Sequence, residues 1–302
     1  MQDLRFNPDW RDDIFDPKVL DYPLVFPENT EPQSEEGIWV KSQPELEEMV
    51  FGKVHRLEKP RMVTAIVKKS DFTKIYTLKN EKGEILPPES FCYDIIFPPQ
   101  AWMTDSLQER CMMLAAAQQA RGKVLIGGLG LAVYPQLVFQ LQRPIETIMI
   151  VEQNPVMIRL LYGTNRCWID PLSLQQRQQV KITIDRVENY LQKTSESFDT
   201  IYLDVWEESD PRFLPSMNYL IQLALPHCTP TGQVYCWGYA MMVDTFVANA
   251  KMYFHQNIPL QDYHLDPALD RYSKWLQEHN DGTLTDEVIE TVARDIALTT
   301  VK

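Results

Sequence analysis

The sequence predicts an α/β protein built on a doubly wound, mostly parallel sheet, with a β-rich region before it and a helical extension after it. Three observations predict this. From Lys123 onward, short continuous apolar runs alternate with helix-like stretches, the pattern of parallel strands covered on both faces. A glycine-rich turn, Gly127-Gly128-Leu129-Gly130, follows the first of these runs. Acidic residues close the next three: Glu152, Asp185 and Asp204.

Up to about Pro99 the chain is rich in Pro, Asp and Glu. Its strand-like pieces are short: Ile38 to Val40, Val63 to Val67 and Lys74 to Leu78, the last followed by a hairpin turn at Asn80-Glu81-Lys82-Gly83. We take residues 1–103 as the β-rich region. A helix opens at Thr104-Asp105-Ser106, where Ser106 and Glu109 stand at capping-box spacing, and runs to a stop at Gly122. The alternation then reads as strand Lys123 to Ile126, helix Leu131 to Leu141, strand Thr147 to Glu152 and helix Asn154 to Leu161. Further strands are predicted at Lys181 to Ile184, Thr200 to Leu203 and Gln233 to Trp237, with apolar helices starting near Leu214 and Met241. This central domain spans residues 104–256. In residues 257–302, Ala268 to Glu278 and Asp286 to Leu298 have helical patterns, and a strand-like piece surrounds Tyr263.

At 302 residues and 44% hydrophobic content the chain is long enough for a sizeable core. It lacks the apolar run of roughly 20 residues that a membrane helix requires and opens without the order of a secretion signal. A cytoplasmic protein with no membrane partner is expected. The five cysteines, at 92, 111, 167, 228 and 236, form no CxxC pair, so reduced thiols are expected rather than disulfides or a zinc knuckle. A net charge of -13 repels phosphate backbones and argues against a nucleic-acid partner. Nothing in the pattern excludes a homodimer.

A glycine turn between a strand and a helix lets the backbone approach a bound nucleotide closely. About 20 residues later Glu152 ends the second strand, where a carboxylate can accept both hydroxyl hydrogens of a ribose. Asp185 ends the third, placed to accept a hydrogen bond from the amino group of a base. These features make the sheet Rossmann-like. A dinucleotide fingerprint would need Gly or Ala at position 133, which is Val133; Gly128, Gly130 and Ala132 follow a shorter spacing instead.

Here the chain resembles the class I S-adenosylmethionine-dependent methyltransferases, and among them the spermidine-synthase-like branch, over roughly Thr104 to Met242. The resemblance implies S-adenosylmethionine as cofactor. It also implies that Gly127, Gly128 and Gly130 hold its methionine part, Glu152 its ribose and Asp185 its adenine. It places acceptor-facing residues after the fourth strand, where Asp204-Val205-Trp206-Glu207 stands. Asp204 is then the catalytic candidate, since methyl transfer needs an aligned acceptor and the removal of one proton. Capping the following loop or bonding the cofactor's amine end are the other roles open to it. Spermidine synthases carry Asp-x-x-Asp-Pro at this point, whereas here Glu207 takes the second acidic position and Asp210-Pro211 comes three residues late. The acidic cluster still keeps a polyamine-type aminopropyl transfer in view as the alternative, alongside a non-catalytic protein that retains the fold. Trp206, Glu207, Trp237 and Tyr239 are candidate substrate-binding residues on the same rim, although the aromatic ones also suit core packing. The acceptor expected is a small molecule or a peptide-like group. The histidines are too scattered for a metal set, with His264 beside Asp266 as one further candidate base.

Overall fold

The computed structural model describes residues 3–28, 38–68, 101–162, 167–256, 278 and 285–299. The strand Lys74 to Leu78, the turn at 80–83, the piece around Tyr263, His264 and nearly all of the helix ending at Glu278 lie outside them.

Three strands form an antiparallel sheet in the order β1 (Ile38–Val50), β2 (Lys53–Lys68), β3 (Ala101–Thr104). The two long strands turn at Phe51-Gly52, both with positive φ (48° and 75°), the left-handed geometry that suits a two-residue hairpin. The next helix, α1 (Leu107–Gln119), begins where Ser106 Oγ accepts the Glu109 N–H at 3.3 Å. It ends at an extended Ala120, two residues before the predicted stop, and Gly122 instead opens the following strand.

The second sheet contains β4 (Gly122–Gly127), β5 (Ile145–Glu152), β6 (Val180–Ile184), β7 (Phe198–Leu203) and β8 (Cys228–Cys236). Its order is β6-β5-β4-β7-β8, and every neighbouring pair is parallel. Between the strands run α2 (Val133–Gln140), α3 (Pro155–Tyr162), α4 (Leu174–Gln179), α5 (Val187–Lys193) and α6 (Leu214–Ala224). After β8 follow α7 (Tyr239–Gln256) and α8 (Asp286–Thr299). Side chains alternate across each strand, so Val124 and Ile126 enter a core with Leu114 and Leu137, while Leu125 enters another with Met217 and Val243. Two cores on opposite faces make the sheet doubly wound, a Rossmann-like α/β fold.

Differences from the sequence reading have local causes. α2 starts at Val133 rather than Leu131 because Ala132 stands in the left-handed region (φ 59°) ahead of it. α4 was missed although Ser173 and Gln176 carry a complete capping box. The last helix, in the predicted helical extension, packs back on the central domain: Ile289, Ala293 and Ala297, four residues apart on one face, are buried against α6 and α7. Asn218 on α6 donates to the Ala297 carbonyl at 2.9 Å.

The first described residues run along β8. Phe6 forms a parallel bridge with Val234, whose N–H donates to the Arg5 carbonyl at 2.8 Å, and the Trp10 ring packs edge-on against Tyr235. Among the described residues no helix is long and apolar enough to cross a membrane.

A charged cluster locks the antiparallel sheet to α1. Asp105, fully buried, accepts from the Thr64 N–H at 2.5 Å and from Arg110 Nη2 at 2.9 Å, while Glu48 accepts from Arg61 and from the Leu107 N–H at 2.5 Å. Removing one partner strands the opposite charges. Asp105→Ala is therefore expected to lower the unfolding free energy by about 3–5 kcal/mol, read from the urea midpoint.

Candidate functional site

The strand order reverses beside β4, and in open parallel sheets the crevice at the carboxyl ends of strands at such a reversal is where ligands bind. A cavity lies there. Gly128, Gly130, Glu152, Asp185, Asp204, Trp206, Glu207 and Trp237 line it, and Met103 with Thr104 from β3 and Glu109 from α1 close one side.

The turn is shaped by what surrounds it. Gly127 has ordinary φ, but a Cβ there would meet Val187 Cγ2 at 2.7 Å, so it serves the packing of strand on helix. Gly128 has φ 89°, and a Cβ would fall 2.0 Å from the Asp204 carbonyl oxygen. Its N–H donates to Val151 O at 2.9 Å, and Asp204 N–H donates to Gly127 O at 2.9 Å, so the turn is bonded to β5 on one side and to the end of β7 on the other. Gly130 (φ 53°) meets only Met103 Sδ, at 3.7 Å.

Glu152, at 6% exposure, reaches back to this turn. Its Oε2 accepts the Leu129 N–H at 2.9 Å and its Oε1 the Asn154 N–H at 2.7 Å. Each oxygen retains a lone pair for a second donor. Asp185 sits on the next strand end, where Asn189 and Lys193 donate to it at 3.1 and 3.2 Å and hold its carboxyl below the usual range. It stays ionised and acceptor-only, as an amino-group partner must be.

Across the turn the electrostatics invert. Burial, then the charges of Asp12 and Glu152, push the Asp204 carboxyl up to about 7. Asp204 accepts no side-chain hydrogen bond among the described residues. Burial and then Asp204 push Glu109 up to about 8; the Trp237 N–H faces it and offsets part of that rise, without full hydrogen-bond geometry among the described residues. Asp12, behind the cavity, is raised to about 6 mainly by burial, although its Oδ2 accepts the Gly238 N–H at 2.8 Å. Tyr202 at the end of β7 stacks on Tyr134 with centroids 3.7 Å apart, and both hydroxyls are buried without a partner among the described residues.

Of the sequence candidates among the described residues, all but Gly127 and Tyr239 line the cavity. Tyr239 stands apart from the cavity: it is buried beneath the sheet end, its hydroxyl donating to Asn218 Oδ1 at 2.5 Å and its ring edge-on to Phe6 at 5.1 Å. Trp206 and Trp237 face the cavity as a linked pair, the Trp206 indole donating to the Trp237 carbonyl at 3.1 Å. Glu109 and Asp12 were missed. The sequence pattern gives Glu109 a capping role that its side chain does not fill, and no spacing links Asp12 to the sheet.

The raised carboxyls have a consequence for stability. A carboxyl whose folded pKa lies above its unfolded value favours the folded state at low pH. That contribution is lost as pH rises from near 4.5, the ordinary value of a glutamate, through about 8 for Glu109. Glu109→Gln is expected to raise Tm by roughly a few degrees at pH 8.5 and to leave it unchanged at pH 4. Thermal melts at the two pH values check this.

No family model matches the sequence, and neither does any curated protein. Solved structures do. An S-adenosylhomocysteine-bound methyltransferase from Podospora anserina, PaMTH1, is 17% identical over 70% of this chain and 85% of its own, with a TM-score of 0.33. Human methyltransferase-like protein 13, in complex with the same compound, is 17% identical over 55% of this chain and 85% of its own, at a TM-score of 0.30. The Trypanosoma brucei PRMT1 enzyme-prozyme complex with AdoHcy gives 17% identity and a TM-score of 0.29; it matches 41% of this chain, which spans only 35% of that one. Likeness at this level concerns the fold alone.

Proposed function

We propose that the chain is an S-adenosylmethionine-dependent methyltransferase acting on a small-molecule or peptide-like acceptor. One observation carries this reading: the glycine turn, Glu152, Asp185 and Asp204 line a single cavity at the reversal of a parallel sheet. The residues fit the cofactor. The missing Cβ at Gly128 lets the turn close onto the end of β7 at the cavity, Glu152 offers lone pairs to a ribose diol, and Asp185 offers an ionised acceptor to an adenine amino group.

When bound, S-adenosylmethionine supplies a methyl group on a positively charged sulfur. The chain's residues would align the acceptor and dispose of its proton. Trp206 and Trp237 wall the acceptor side, and Asp204, raised to about 7, has the affinity for a proton suited to a general base near neutral pH. With the methyl group supplied by the cofactor to the acceptor's lone pair, Asp204 would take up the proton that the acceptor gives up.

A second reading is aminopropyl transfer from decarboxylated S-adenosylmethionine, within the spermidine-synthase-like branch. The observation that favours it is the joint presence of Asp204, Glu207 and Glu109 around the cavity, a setting for a cationic amine. Calorimetry separates the readings. Binding of S-adenosylmethionine and S-adenosylhomocysteine is expected; binding of the decarboxylated form alone selects the second reading, and failure of all three removes both in favour of a non-catalytic protein. The four described cysteines are unpaired, in keeping with a cytoplasmic setting.

A further inference from the structure

The two outer strands of the parallel sheet differ in what lies beside them. Along β8 the chain lays its own leading residues, the Val234 N–H donating to the Arg5 carbonyl. β6 ends the sheet on the opposite side, and among the described residues no strand pairs with its outer row. One bond fixes which groups that row presents. The Asp185 N–H donates to Glu152 O at 3.3 Å, so Asp185, and by alternation Thr183 and Lys181, turn their backbone groups toward β5. The N–H and C=O of Val180, Ile182 and Ile184 therefore point outward.

This strand is complementary to itself. Centred on Thr183 it reads Lys181-Ile182-Thr183-Ile184-Asp185, with a cation at one end, an anion at the other and an isoleucine on either side of the centre. A second copy running antiparallel beside it closes hydrogen bonds only in registers that set outward residues opposite outward residues. The register with Thr183 on the two-fold axis is one of these. It sets Ile182 opposite Ile184 in hydrogen-bonded pairs, Thr183 opposite itself and Lys181 opposite Asp185 at both ends. The neighbouring permitted registers set Lys181 opposite Thr183 or Val187 and lose both charge pairs.

The side chains around the strand suit the same partner. Ile184 is 60% exposed, while Ile182 lines a mostly apolar groove with Ile158, Tyr162, Ile169, Val180 and Arg177. In the Thr183-centred register the partner's Ile184 lies over that groove. Asn189 and Lys193 keep Asp185 ionised, so it meets the partner's Lys181 with a full negative charge. Residues 155–193 carry six basic side chains against three acidic, in a chain of net charge -13, so two copies repel least along this border.

We propose that the chain forms a two-fold dimer through β6, in which the two edge strands pair antiparallel about Thr183 and join two five-stranded sheets into one continuous sheet. The contact is small, so the dimer forms at micromolar concentration rather than below it.

Sedimentation equilibrium of the full chain between about 2 and 200 µM is expected to show a mass rising toward twice the 35.2 kDa of one chain. Lys181→Glu sets two carboxylates opposite each other at both ends of the pair. Ile184→Pro removes an outward N–H and leaves the bonds to β5 in place. Each should weaken association at least tenfold with an unchanged circular dichroism spectrum, and having two edge variants keeps the test open if one fails to fold.

Cysteine pairing reads the register. At a non-hydrogen-bonded antiparallel pair the Cα atoms lie about 4.5 Å apart, within disulfide reach, so Thr183→Cys should link two copies on mild oxidation. Gln178→Cys, exposed on α4 and away from the axis, should link no more than the parent does through its own thiols. A parent that stays monomeric at the highest concentration overturns the proposal, as does association that both edge variants leave unchanged. Absence of a link at position 183, or equal linking at 178 and 183, overturns the pairing about Thr183.

Discussion

Gly128→Ala is expected to lose about 2–5 kcal/mol of stability, combining the roughly 1–2 kcal/mol of a left-handed backbone with the roughly 1–3 kcal/mol of overpacking. The new Cβ would fall 2.0 Å from the Asp204 carbonyl oxygen, and that oxygen belongs to backbone tied to the turn by the Asp204 N–H. No rotation of a side chain relieves the clash; the end of β7 must move away from β4. Since that edge is also the floor of the cavity, any variant that folds is expected to bind adenosyl ligands at least tenfold more weakly. Gly130→Ala is the control. Its backbone is also left-handed, but a Cβ there meets only Met103 Sδ at 3.7 Å, so its loss should stay near 1 kcal/mol. Urea unfolding of the two variants checks the contrast, and equal losses would show that conformation, not crowding, governs the turn.

Glu152→Ala should give the largest loss of binding. The carboxylate both shapes the turn, through the Leu129 and Asn154 N–H groups, and presents its remaining lone pairs to the cavity. Two charged hydrogen bonds to a ribose diol contribute about 3 kcal/mol together, so the dissociation constant of S-adenosylhomocysteine is expected to rise by about 10²-fold or more. Stability falls too, because a buried N–H at Leu129 is left without its acceptor, by roughly 1–3 kcal/mol. Calorimetry at a temperature where the variant remains folded separates the effects. A dissociation constant within threefold of the parent would remove Glu152 from the ribose role.

What was legible in the sequence is what local pattern encodes. The apolar runs ending in Ile126, Glu152 and Leu203 are mostly buried and legible as strands of a covered sheet, whereas the outer strand ending in Ile184 is only partly covered, with Ile184 60% exposed. Tyr239 shows the limit of such a pattern. It follows the last strand as Trp206 follows the fourth, but it begins α7, and helical geometry turns its ring under the sheet toward Asn218. Glu109 was hidden by a local explanation that accounted for its position: a glutamate three residues after Ser106 satisfies the capping pattern whether or not its side chain turns back. Asp12 was hidden by distance along the chain. Its contact with the Gly238 N–H joins residues 226 apart, and no periodicity in either segment announces such a pairing.

The strip of chain from Arg5 to Trp10 lies where β8 would otherwise present its outer row of hydrogen-bonding groups to water. A bare outer strand of a parallel sheet is a template for another molecule's strand. A protein shortened to begin after Asp12 would therefore suffer twice: Gly238 would lose the acceptor for its N–H, and the uncovered row would invite sticking between copies. The leading residues thus act as a sleeve over the sheet's border, and light scattering of the shortened protein against the full chain would reveal how much of its solubility depends on that cover.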